Sequence, residues 1–144
     1  MADIREVVAR LESKIMNKKN WDIVWSAGVG LMDLCTGLVL IFAPGLVFSV
    51  FGMSVDEAAM DFVNWVGAFV FAVGLSYAWA LSRESLPVVW KITGLVRSVI
   101  AVFLIGKVLA GSMPANWLGV AVCDGFVALV QFVVLWRRRI GGGA

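Results

Sequence analysis

Residues 21–43 read WDIVWSAGVGLMDLCTGLVLIFA, a stretch of 23 positions with only two charged side chains, Asp22 and Asp33. About 20 predominantly apolar residues suffice for a helix to cross the hydrocarbon core of a bilayer, so this stretch reads as a membrane span. The composition of the whole chain agrees. Of 144 residues, 61% are hydrophobic and 15% charged, and the mean hydropathy is +0.93. Soluble domains have about 45–50% apolar and about 25% charged residues. A soluble domain of this size leaves about a third of its chain surface exposed, too much for a sequence this apolar. Disorder is excluded as well, because it requires low hydrophobicity.

Working outward, three more spans follow, at about residues 57–81, 87–110 and 115–136. Pro44 and Gly45 end the first span, and the apolar but short GLVFSVFGM of residues 45–53 reads as an interfacial turn. Ser54 and Glu57 have capping-box spacing, with Ser54 as N-cap of the second span. SRESL forms the next loop, and Pro87 suits the first position of the third helix. Gly111-Ser112-Met113-Pro114 makes a turn, Arg137, Arg138 and Arg139 stop the fourth span, and residues 138–144 read as a flexible tail. The fold class is therefore an all-α integral membrane protein, a four-transmembrane-helix bundle.

Residues 1–20 differ. Ile4, Val7, Val8, Leu11 and Ile15 recur at the spacing of one helical face, with Arg5, Glu6, Arg10, Glu12 and Lys14 around the rest. The segment reads as an amphipathic interfacial helix lying on the membrane surface. Its charges are spread throughout, unlike a signal peptide.

An even number of spans puts both termini on one side. Ten of the twelve basic residues fall in the N-terminal helix, beside the second-to-third connection, or at the C-terminal end. Neither connection on the opposite side contains Lys or Arg. By the positive-inside rule both termini are cytoplasmic, and the bias argues against dual topology. Trp21, Trp25, Trp79, Trp90 and Trp136 cluster at the cytoplasmic ends and Trp117 at the far interface. The expected location is a bacterial inner membrane.

Three ionisable residues fall near the middle of their spans: Asp33 in the first, Arg97 in the third and Asp124 in the fourth. A charge at the bilayer centre costs about 2.5–3.5 kcal/mol even on the lenient insertion scale. The least unfavourable arrangement brings the three together, which predicts a buried Asp33–Arg97–Asp124 cluster. A guanidinium stays charged, so the cluster is formally −1 unless a proton or an external cation balances it. The neighbours fit inward stripes: Asp22, Ser26, Gly30, Asp33 and Gly37; Asn64, Gly67, Phe71, Gly74 and Tyr77; Trp90, Gly94, Arg97 and Ala101; Trp117, Val120, Asp124, Ala128 and Gln131. Small residues allow close helix approach, and polar ones bond across helices. Tyr77 reads equally as an interface anchor or a cluster ligand. Asn64 and Gln131 call for cross-helix bonds, and Lys107 snorkels to the outer interface. The cluster has two readings: a structural clasp that fixes helix order, or a site for a ligand, ion or proton.

Histidine is absent, which removes His-ligated haem, His-based metal sites and Ser-His or Cys-His catalysis. The two cysteines, Cys35 and Cys123, stand alone in apolar runs and read as small buried residues. The net charge of +2 does not suggest nucleic acid. No resident cofactor or metal is expected, apart from a bound lipid or quinone.

Pro44, Phe51-Gly52, Gly67, Gly74-x-x-Tyr77, Gly94-x-x-Arg97 and Asp124 together resemble the small four-span bacterial membrane proteins described as DoxX-like. The likeness covers about residues 20–137 and implies a four-helix bundle. DoxX itself is an accessory subunit of quinone-linked thiosulfate oxidation, but its charged glycine-rich motif in the first span is missing here. The sequence therefore supports a non-enzymatic protein that binds a lipid or quinone-like ligand within the bundle. The alternatives are an accessory or structural subunit of a larger complex, and a small proton- or ion-coupled transporter. The expected partners are the bilayer and either further copies of the chain or a larger membrane complex.

Overall fold

A computed structural model of the protein describes residues 4–50, 52, 56–82 and 84–141, with side chains from Trp21 onward, Glu57, Ala58 and Gly141 excepted. The described residues form five helices: α1 Ile4–Phe42, α2 Pro44–Val50, α3 Glu57–Trp79, α4 Leu86–Leu109 and α5 Trp117–Gly141. All but α2 are long and apolar enough to cross a membrane, over Trp21–Phe42, Ala59–Trp79, Leu86–Leu109 and Trp117–Ile140. The architecture is an all-α four-span bundle.

Several boundaries differ from the sequence reading. The helix has no break at residue 20: the charged N-terminal segment and the first span are one continuous helix. The change there is one of composition, not of backbone, and the side chains that would form the amphipathic face lie outside the described residues. Pro44 ends α1, since it has no N–H to continue the ladder and disfavours helical geometry at the preceding residue. The same proline opens α2, so the expected turn over residues 45–53 is helical through Val50. The N-cap of α3 is Asp56, in extended geometry and without a side-chain cap bond. Ser54, the expected cap, lies outside the described residues. Pro87 sits in the first turn of α4, where its missing N–H leaves no bond unmade. The helix closes in a Schellman motif: Gly111 N–H donates to Val108 O and Ser112 N–H to Lys107 O, both at 3.0 Å, with Gly111 at φ 70°. At the C-terminal end, α5 runs past Arg137–Arg139 to Gly141, so residues 138–141, expected in a flexible tail, are helical, and the rest of that expected tail lies outside the described residues. Arginine is a good helix former and does not itself stop a helix.

The spans pair as two antiparallel hairpins, α1 on α3 and α4 on α5, while the backbones of the two hairpins scarcely approach each other. Reciprocal glycines close the first hairpin. Gly30 and Gly37 on α1 face Tyr77 and Phe71, and Gly67 and Gly74 on α3 face Leu40 and Leu34. A Cβ on Gly37 would stand 2.6 Å from the Phe71 nitrogen, and one on Gly74 2.7 Å from the Leu34 nitrogen. Only glycine permits this backbone-to-backbone approach, which is how membrane helices gain dispersion contacts without a hydrophobic drive between them. The Gly67/Gly74 pair is thus a packing device. The outer faces carry exposed Leu31, Leu38, Phe62, Val99, Val122 and Leu129, surfaces suited to lipid tails. Cys35 and Cys123 also lie on exposed faces as free thiols, not buried as the sequence suggested. The four-residue-step stripes that carry Asp33 and Asp124 turn the adjacent positions outward.

Candidate functional site

The buried polar residues gather in the seam between the two hairpins. On α1 the stripe of Asp22, Ser26, Gly30, Asp33 and Gly37 is buried at every position, because steps of three or four residues stay on one helical face. On α4 the buried face holds Trp90, Thr93, Gly94, Arg97 and Ala101.

Near the middle of the spans, Arg97 on α4 bridges both hairpins. Its Nη2 donates to Asp33 Oδ2 on α1 and its Nη1 to Asp124 Oδ1 on α5. The Arg97 and Asp33 side chains are almost wholly enclosed and that of Asp124 is slightly more open. The planar guanidinium fork suits such bridging, and each carboxylate engages it through one oxygen. The predicted cluster is therefore formed, with its surplus of one formal negative charge.

One layer toward the end where α1 enters and α5 leaves, three buried side chains form a second group. Tyr77 Oη on α3 donates to Thr93 Oγ1 at 3.2 Å, and Thr93 Oγ1 donates to Val89 O at 2.8 Å. Gln131 Nε2 on α5 donates to Tyr77 Oη at 2.7 Å and to Thr93 Oγ1 at 3.3 Å. A further step out, Trp90 Nε1 donates to Ser26 Oγ at 3.0 Å. At the rim Arg138 pairs with Asp22 and lies over the Trp90 ring, 5.7 Å from its centroid. Among the described residues, Arg97 Nε and Gln131 Oε1 at the cluster, like Trp25 Nε1 and Arg138 Nε nearer the rim, are fully buried with no hydrogen-bond partner.

Of the six residues expected at the site, Asp33, Arg97 and Asp124 touch one another, and Tyr77 and Gln131 belong to the adjoining layer. Asn64 stands apart. With its nitrogen turned toward α1, its amide donates to the Leu40 and Ile41 carbonyls at 3.0 and 3.3 Å, a cross-helix bond within the first hairpin. Sequence reasoning missed Thr93, which is three residues from Trp90 and four from Arg97 on the same face. It also missed the pairing of Ser26 with Trp90, although both lie on the predicted stripes. Arg138 falls in the stretch that the sequence marks as tail, and no local signal links it to Asp22. Lys107 is exposed near the far end of α4, with its Nζ 5.9 Å from the Phe103 ring centroid.

Among the described residues no three His, Cys, Asp or Glu side chains converge to hold a metal ion. What the seam offers is hydrogen bonding and a charge imbalance away from bulk water. Fold and site together define an α-helical four-span bundle with a charged seam. In comparisons with known proteins the chain matches no family model, no curated protein and no solved structure. These comparisons give the DoxX-like resemblance no support.

Proposed function

We propose that the chain is a non-enzymatic multi-pass membrane protein that receives the polar head of a lipid or quinone-like ligand in the seam between its hairpins. The observation that carries this reading is Arg97 bridging Asp33 and Asp124 with one carboxylate in excess. Intramembrane ionisable groups are strongly disfavoured unless they serve a site or a specific contact. A lipid head group or a quinol bearing a hydrogen-bond donor or a positive charge complements that surplus, whereas the carbonyls of a quinone only accept and would take the Arg97 Nε donor. The clustering of basic residues at one end supports a bacterial inner-membrane location with both termini cytoplasmic. Four packed spans of this length leave little interior for a ligand, which supports a homo-oligomer or a larger complex as the working form.

Native mass spectrometry of protein purified from its membrane tests the reading. The wild type is expected to retain a lipid or quinone that Arg97→Leu loses while remaining folded by circular dichroism. Equal retention by both would rule the reading out. The surplus charge also favours a second reading, proton or cation exchange through Asp33 and Asp124. Reconstituted liposomes that show no flux at any pH would remove it.

A further inference from the structure

We propose that water reaches the Asp33–Arg97–Asp124 cluster from one side only, along the seam from the end where α1 enters and α5 leaves. The proposal rests on the reading of that cluster as a site and adds the route by which protons or polar solutes meet it.

The first observation is the one-sided distribution of polar groups. Among the described residues, the buried polar side chains are Asp22, Ser26, Asp33, Thr93, Arg97 and Gln131. With the Tyr77 hydroxyl they form steps from the rim pair Asp22–Arg138, through Ser26–Trp90 and Tyr77–Thr93–Gln131, to the cluster. All lie at the cluster or on the terminal side of it. Beyond the cluster, the buried positions of the same faces are Gly37, Gly67, Ala101, Leu104 and Ala121. Asn64, in that far half, is engaged by backbone carbonyls of α1.

The second observation is independent of the first. Arg97 and Gln131 are 4% and 0% exposed, yet Arg97 Nε and Gln131 Oε1 have no hydrogen-bond partner among the described residues. Leaving a buried donor or acceptor unmatched costs about 1–3 kcal/mol. One atom is a donor, the other an acceptor, and both lie where the second layer meets the cluster. Gln131 Oε1 lies against Gly94, one helical turn from Arg97 on α4. Water is the smallest molecule that both accepts and donates, and buried waters settle at sites offering two to four polar partners. The unmatched atoms thus mark the step at which water links the hydroxyl–amide layer to the cluster.

Cysteine accessibility tests this. In a chain with Cys35→Ala and Cys123→Ala, the single variants Ser26→Cys, Thr93→Cys, Ala101→Cys and Ala121→Cys are treated with a small hydrophilic methanethiosulfonate. The four native residues are 0%, 4%, 5% and 1% exposed, so static burial alone predicts uniformly slow reaction. The expected result is reaction at positions 26 and 93 at least tenfold faster than at 101 and 121. Equal rates in the two halves would overturn the proposal. In the unsubstituted chain, X-ray hydroxyl-radical labelling is expected to modify the buried Tyr77 and Trp90, and their full protection would overturn it as well. Loss of lipid or quinone on Arg97→Leu is read separately. If that loss occurs while both halves of the seam are equally inert, the one-sided route fails and the binding site stands.

Discussion

Arg97 supplies one positive charge to two carboxylates, so the consequence of a substitution depends on which member is removed. Asp124→Asn leaves a neutral Asp33–Arg97 pair, and Asp124 is the more open of the two acids, at 14% against 7% side-chain exposure. Arg97→Leu leaves two carboxylates facing each other in a low-dielectric seam with no counter-charge. Removing one partner of a buried ion pair costs about 3–5 kcal/mol. Arg97→Leu is expected at or above that range, and Asp124→Asn nearer the about 1–3 kcal/mol of an unmatched hydrogen bond. Thermal unfolding in detergent measures the order, and an Asp124→Asn as unstable as Arg97→Leu would refute the charge argument.

Helix packing separates glycines that look alike in the sequence. Gly37 and Gly28 both lie on α1, but a methyl on Gly37 meets the backbone of Phe71, whereas one on Gly28 meets nothing within 4 Å. Backbone cannot yield as a flexible side chain does, so Gly37→Ala is expected to destabilise the hairpin by about 1–3 kcal/mol. Gly28→Ala is expected to be neutral or to stabilise by up to about 1 kcal/mol through helix propensity. Unfolding midpoints of the two variants test this, and equal effects would argue against glycine-driven closure. The inward stripes were legible because three- and four-residue steps alone determine which side chains share a face. Asp33, Arg97 and Asp124 were legible because hydrocarbon leaves charges few other places. Pairings across helices were not, since nothing local tells Ser26 that Trp90 is opposite, or Arg138 that Asp22 is. Helix ends were the least legible: Arg137–Arg139 resemble a stop signal, yet tertiary contact of Arg138 with Asp22 and Trp90 suits a helix that continues.

As a whole, the molecule is two closed hairpins joined by side chains. In the first pair the helices meet backbone to backbone, and in the second Gly94 and Gly125 face side chains of the other helix. Between the pairs the named links are Asp33–Arg97, Ser26–Trp90, Asp22–Arg138, and Tyr77 to Thr93 and Gln131. This division has a consequence for synthesis. Asp33 precedes its counter-charge by 64 residues, which at about 5–20 residues per second is about 3–13 s of translation. For that interval the nascent first hairpin carries an unpaired acid into the bilayer and depends on the insertion machinery to shelter it. A chain ended after residue 82 is therefore expected to be degraded quickly in cells, and Asp33→Asn to lengthen its half-life in a pulse-chase experiment. If the two truncated chains decay at the same rate, the late arrival of Arg97 is no hazard to the emerging protein.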